Sequence, residues 1–320
     1  MNPYSDQSFF GFFFVLIKRI GLLFQGGASS FASDEVQLLV LVLIALSSSL
    51  LGTFLVLRKM TMLANSLSHT ILLGIVGAFL LSKFLFHQGG EGIYSIHLPT
   101  LIFGAVITAL LTTFSTEFLY KRLRLQKDAS IGLIFTAFFA LGVVLVTVLS
   151  RNSHLGVEAI MGNVDALHPD HVKQVFYLFL LNAGIILFFF RRLEVVSFDP
   201  NLAKNLGISL LFFNYLLMFQ TALTAIGSFR AVGVFLFLAF LVAPVITARF
   251  FTHRLKPLLF LAGGIGIFAS LISVALSRHF LSVYHLPLAT SGLAATILGL
   301  CCFGGAVYKL TRAQLLRRAH

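Results

Sequence analysis

Residues 36–57 read VQLLVLVLIALSSSLLGTFLVL, an uncharged run long enough to cross a bilayer as a single helix. The rest of the chain repeats this texture. Of its 320 residues, 58% are hydrophobic and 11% charged, with a mean hydropathy of +0.97. Soluble domains carry about 25% charged residues, so this chain has less than half of what would cover a soluble globule. Its 36 Phe and 26 Gly fit the same class, an all-α, polytopic integral membrane bundle.

Apolar runs bounded by charges or turn residues predict about nine spans, within a range of eight to ten, at roughly 36–57, 66–82, 98–120, 129–150, 173–190, 209–227, 231–249, 257–277 and 288–308. Residues 8–26 form one more apolar stretch, interrupted by Lys18 and Arg19. Its length and central charges fit a helix lying in the interface, an additional span being the alternative. The cations follow the apolar run Phe9–Ile17 instead of preceding it, so no cleavable signal peptide is evident. The expected organisation is an N-terminal tail over 1–35 with the interfacial helix, a transmembrane domain over 36–308 and a basic tail over 309–320.

Charge sorts the loops into two alternating sets. Sixteen of the 23 Lys and Arg lie at 58–59, 121–127, 191–204, 249–256 and 309–318, and five lie at Lys83, Arg151, Lys173, Arg230 and Arg278. The positive-inside rule places the first set in the cytoplasm, with residue 35 outside and the C-terminus inside. The cations are scattered through short turns and form no single basic face, which argues against nucleic acid as a partner. Cys301 and Cys302 are adjacent in an apolar run and supply neither a long-loop staple nor a four-ligand zinc site.

Seven of the ten histidines fall in the outer set of loops, among them His87, His97, His154, His168, His171, His279 and His285. The 151–172 loop adds Glu158, Asp165 and Asp170. Imidazole and carboxylate suit borderline divalent metals, but no H-E-x-x-H spacing is present, and ordinary interfacial polarity is the plainer reading. Inside the spans ionisable groups are nearly absent. Glu117 stands one turn from Lys121 at a helix end, an i,i+4 pair. A proton- or sodium-coupled carrier usually keeps a carboxylate near the midplane, so secondary transport is disfavoured. An intramembrane metalloprotease lacks its ligands altogether.

Four segments stand apart from anonymous span. Asn65 and His69 are four residues apart and share a helix face, with Ser66 and Thr70 beside them. This face can contact a passing cation or bond a neighbouring helix. Between Ser197 and Ile208, Asp199 can cap a short helix with Pro200 at its first position and Gly207 at its end. Such a helix can dock a soluble partner or merely connect spans. Gly227, Gly233 and Pro244 interrupt an apolar helix, which places that segment against protein or water. His285 opens a turn into a last helix with Ala295 and Gly299 at small-xxx-small spacing.

In this order, the stretches Gly52–Met60, Asn65–Gly74, Ala129–Phe135, Phe198–Ile208 and Ala231–Arg249 resemble the membrane subunit of metal-chelate-type ABC importers, the ABC-3 family. Within that family the Phe-rich N-terminal stretch is similar to one iron and manganese system. The resemblance implies a type II importer permease for Mn²⁺, Fe²⁺ or Zn²⁺ in the bacterial inner membrane, with no stably bound cofactor. It also implies partners: a cytoplasmic ABC ATPase, a periplasmic or lipid-anchored metal-binding protein, and a second permease copy or a paralogue. The chain has no G-x-x-x-x-G-K-[ST] phosphate loop, so it is not expected to be an enzyme.

In family terms Asp199, Pro200, Ala203 and Gly207 belong to a coupling helix over 199–208 that seats in the ATPase. Asn65, His69 and Pro244 line the pathway, His69 touches the metal, and His285, His168 and His171 stand where metal enters. One departure matters. The family commonly has an acid where this chain has Asn65, and often one near His285, so the ion is expected to be held weakly or with an acid from a paralogous permease. The alternatives are an ion-coupled cation carrier or channel, and a siderophore or cobalamin permease using the same ATPase machinery.

Overall fold

The computed structural model describes residues 3–4, 8–24, 31–85, 98–149 and 162–318. His87, His97, Arg151, His154 and Glu158 lie outside the described residues. Among the described residues every regular element is helical: α1 (Phe9–Phe24), α2 (Ser33–Leu57), α3 (Thr61–Leu85), α4 (Leu98–Arg122), α5 (Lys127–Leu149), a 3₁₀ turn (Val164–Ala166), α6 (Pro169–Phe188), α7 (Phe190–Phe198), α8 (Pro200–Asn205), α9 (Leu210–Phe251), α10 (Leu255–Tyr284) and α11 (Thr290–Arg318). Among the described residues nine segments are long and apolar enough to cross a membrane: α2 to α6, the two halves of α9 (Leu210–Phe229 and Ala231–Phe251), α10 and α11. Charges sit where the helix dipole favours them, with Asp34 and Glu35 in the first turn of α2 and Lys121 and Arg122 in the last turn of α4.

Several boundaries differ from the sequence reading, each for a local reason. Helix α9 passes through Gly227 and Pro244 and loses helical backbone only at Gly233, where φ is 78° and ψ 168°. Helix α10 extends to Tyr284, so Arg278 and His279 are helical residues and not loop residues. Residues 309 to 318 continue α11 as helix. Counting apolar residues finds the membrane-spanning part of a helix, but the hydrogen-bond ladder continues into polar sequence.

The chain forms two compact units, one of Met1–Thr53, Met161–Phe188 and Ser228–His320, the other of Phe54–Ile160 and Phe189–Gly227. In the first, α2 approaches its neighbours through small side chains. A Cβ on Gly52 would lie 1.8 Å from the Leu241 carbonyl oxygen, and Gly266 and Gly263 of α10 face Ala45 and Leu46. Asn182 of α6 donates to Ser47 Oγ at 2.6 Å in the buried interior. The start of α2 is fastened by polar contacts. Asp34 pairs with Arg278, and Glu35 accepts from Arg19, from Tyr4 Oη at 2.9 Å and from the Ala32 amide at 2.8 Å. Gln37 Nε2 donates to Asp165 Oδ1 at 2.8 Å and to Thr290 Oγ1 at 3.0 Å, and Thr290 Oγ1 donates to Asp165 at 2.6 Å.

Helix α1 has 16 residues, about 24 Å of length, which is short of a hydrocarbon core about 30 Å thick. It packs on α10, burying Phe12 and Leu16 while Phe10, Phe14 and Ile17 stay exposed. Burial, then hydrogen bonding to Glu35, pushes the Tyr4 hydroxyl well above the usual phenol range.

In the second unit α3 packs on both α4 and α5. Gly74 and Gly104 bring α3 and α4 together so closely that a Cβ on either would meet the other's carbonyl oxygen at 2.5 or 2.4 Å. Thr112 Oγ1 reaches Thr70 Oγ1 at 3.3 Å across the same seam.

The α2 contact gives a direct test. Gly52→Ala places a methyl against the Leu241 backbone, whereas Gly184→Ala meets nothing within 4 Å. Thermal unfolding of the purified chain in detergent should show Gly52→Ala destabilised by about 2 kcal/mol and Gly184→Ala unchanged. Equal midpoints would mean that the α2–α9 approach does not limit stability.

Candidate functional site

The first turns of α3 carry the polar face expected from sequence. Asn65 is exposed, and the His69 ring lies 5.4 Å from Phe135 and 5.8 Å from Phe139, both on α5. Ser68 Oγ donates to the Ala64 carbonyl, and Thr70 Oγ1 to the Leu67 carbonyl. Ser66 Oγ, on the turn between Asn65 and His69, is buried and has no hydrogen-bond partner among the described residues. An amide, an imidazole and a hydroxyl are neutral donors to a cation, and they hold it far less strongly than carboxylates would. Among the described residues no group of three or more His, Cys, Asp or Glu is gathered to hold a metal. The face therefore offers contact points and not a chelating cage.

The other sequence-nominated pathway residues belong to the first unit. Pro244 is buried in the second half of α9, beyond the Gly233 break. Gly162, itself at φ 56°, presses onto that break, because a Cβ there would stand 2.2 Å from the Gly233 nitrogen and 2.3 Å from the Phe229 carbonyl oxygen. His285 ends α10 in the left-handed conformation at φ 54° and is exposed. His168 and His171 open α6 on the surface, with His168 Nδ1 3.0 Å from an Asp170 carboxylate oxygen. Asp165, an outer-loop donor by sequence, spends Oδ1 on Gln37 and Thr290.

The 199–208 segment resolves into α8 with a complete cap at each end. Asp199 Oδ1 accepts from the Asn201 and Leu202 amides, both at 3.0 Å, with Pro200 at the first helical position. At the other end Gly207 takes φ 72°, its amide donates to the Lys204 carbonyl at 3.0 Å, and the Ile208 amide donates to the Ala203 carbonyl at 2.8 Å. That pair of bonds is a Schellman closure. Ala203 is buried, α7 packs beside α8 with Leu193 and Val196 buried, and Phe198, Leu202 and Leu206 are exposed. The result is a small helix, capped at both ends, presenting apolar side chains and Lys204 outward.

Sequence reading missed two features. It counted Arg58 only as a loop cation, yet Arg58 Nη1 is buried without a hydrogen-bond partner among the described residues, and burial pushes its pKa down to about 10. Only tertiary packing reveals this. The Gln37–Asp165–Thr290 triad was likewise invisible, since its members are 125 to 253 residues apart.

A family model described as the ABC 3 transport family matches residues 35–308. A Chlamydia muridarum protein named a "probable metal transport system membrane protein" is 37% identical over 99% of this chain and 97% of its own length. The manganese transport system membrane protein MntD of Bacillus subtilis is 37% identical over 81% of this chain and 86% of its own. Among solved structures, PsaBC from Streptococcus pneumoniae in complex with Fab superposes with a TM-score of 0.69 at 23% identity, covering 88% of this chain and 94% of that one, a likeness of fold.

The caps of α8 are open to measurement. Asp199→Ala removes the acceptor for the Asn201 and Leu202 amides, a loss of about 1 kcal/mol. Hydrogen exchange at those two amides should quicken by about fivefold while amides of α3 stay unchanged. An unaltered rate would mean that the cap does not hold the helix.

Proposed function

This chain belongs to the ABC 3 transport family, and we propose that it is the membrane-spanning permease subunit of an ATP-driven importer of divalent metal ions, manganese, iron or zinc. The names of its relatives support the cargo class. The observation that carries the coupling half of this reading is α8, a largely exposed helix capped at both ends. A cytoplasmic ATPase docks there, gripping Leu202 and Leu206, and moves the helix as a body when nucleotide binds. The chain contributes no ATP hydrolysis of its own, in keeping with a sequence that has no phosphate loop.

The cation-rich ends of the helices face the cytoplasm, so the protein sits in the bacterial inner membrane with its C-terminus inside. A periplasmic or lipid-anchored metal-binding protein delivers the ion at the outer side, near His168, His171 and His285. A second permease, identical or paralogous, completes the pathway. Within this chain the ion passes Asn65 and His69, whose neutral oxygen and nitrogen replace part of its water. Without a carboxylate at position 65 the stay is short, as transit requires.

Affinity purification of the tagged chain from its native membrane should recover an ATPase bearing a phosphate loop. Leu206→Asp should remove that ATPase from the eluate and lower radioactive manganese uptake by about tenfold or more, since a buried unpaired charge at an interface costs several kcal/mol. His69→Ala should lower uptake with the ATPase still bound. A chain that purifies alone and moves metal in liposomes without ATP would overturn the proposal.

A further inference from the structure

In the first unit, the second half of α9 together with α10 and α11 encloses an open groove of about 630 Å³. Phe251, Phe260 and Phe268 form walls, and Gly264, Cys301 and Gly304 form much of the floor. The floor is open, because a Cβ on Gly264 or on Gly304 would meet nothing within 4 Å. These residues lie on three segments long and apolar enough to span the membrane. Water gains little in such a cleft, and apolar matter fills it more favourably.

The rim is the opposite in character. Arg249 closes α9, Arg254 and Lys256 open α10, and Lys309 and Arg312 lie on the turns of α11 that follow Gly304, all five exposed. Lys309 Nζ stands 5.6 Å over the Phe250 ring, and Phe251 stacks on Tyr308 at 5.4 Å. No acidic residue follows Asp199 in the sequence. The described acids of this unit are engaged elsewhere: Asp34 with Arg278, Glu35 with Arg19, Asp165 with Gln37 and Thr290, and Asp170 with His168. Arg278 lies about 36 Å along α10 from Arg254 by helix rise, so those carboxylates stand at the far end of the same helices. Among the described residues of their unit, no carboxylate is paired with a rim cation.

We propose that this groove is a binding site for an anionic diacyl phospholipid, its acyl chain against Gly264 and Gly304 and its phosphate among Arg254, Lys256 and Lys309. The ligand must be apolar along one part and negative at its head, and only an amphiphilic anion satisfies both. A zwitterionic lipid fills the groove and leaves the rim charge standing. A second copy of this chain, docked by the same face about a two-fold axis, would set five cations against five. Juxtamembrane cations of this kind attract anionic lipid additively.

Native mass spectrometry of the full chain, released from micelles holding equal dioleoyl phosphatidylglycerol and dioleoyl phosphatidylcholine, tests this. The wild-type chain should retain phosphatidylglycerol about tenfold over phosphatidylcholine. The combined variant Arg254→Gln, Lys256→Gln and Lys309→Gln should bring the two lipids to parity. Gly304→Leu, whose Cβ meets nothing within 4 Å and whose side chain fills the floor, should lose both. The charge variant is read independently, so misfolding of the groove variant leaves the test intact. Equal retention by wild type, or an undiminished preference in the charge variant, would overturn the proposal. So would displacement of the lipid by soluble glycerol phosphate alone, which marks a simple anion site. A change of oligomeric mass in Gly304→Leu with lipid retention intact would instead mark a protein–protein face and reject the lipid.

Discussion

The contact between Gly52 and the Leu241 backbone leaves no room for a single methyl, and it fixes how the first unit packs. In a membrane, lipid tails are as apolar as leucine, so helices gain little by hiding from their solvent. What remains is close van der Waals contact and hydrogen bonding between buried polar atoms. Helix α2 uses both: Gly52, Ala45 and Leu46 admit neighbouring helices, and Ser47 takes the Asn182 amide. Its N-terminal end then binds Arg278, Arg19 and Asp165 through Asp34, Glu35 and Gln37. Shifting α2 would loosen the packing and strand buried charges together, and an unpaired buried charge is among the most expensive defects a protein can carry. This double fastening makes α2 a fixed reference for its unit.

The spans were legible because the bilayer imposes a length and a polarity that a one-dimensional sequence records. Helix α8 was legible for another reason. Asp199, Pro200 and Gly207 act on backbone groups within a few residues, so their chemistry is local. Partners of Asp34, Glu35 and Gln37 were not legible, because an ion pair joining distant segments leaves no period and no spacing. The helix break illustrates a third case. Gly227, Gly233 and Pro244 were all reasonable breakers, and only Gly233 breaks, where the Gly162 backbone presses onto it. Sequence names the residues able to deform; packing selects the one that does.

The candidate pathway residues teach the same distinction. Histidines and carboxylates at the ends of spans look like metal donors, yet Asp165 is committed to two hydrogen bonds and Asp170 sits beside His168. Asn65 and His69 kept their shared face because helix geometry alone decides it. The aromatic wedge of Phe135 and Phe139 on the His69 ring, and the buried Ser66 hydroxyl, required the packing of α3 on α5. On the proposed reading, a route built from neutral donors fits selectivity exercised before the ion arrives, since a strong intramembrane site would hold what it should release.

A coupling element must not absorb the displacement it transmits. A six-residue helix has no intrinsic stability in water, because nucleation costs more than so few hydrogen bonds return. The existence of α8 therefore depends on what surrounds it: Asp199 satisfying two amides, the Gly207 closure satisfying two carbonyls, and Ala203 seated against its own unit. Remove either cap and the helix frays first at the uncapped end. On the reading proposed above, two caps on so short a segment suit a coupling role, since each holds an end that would otherwise fray.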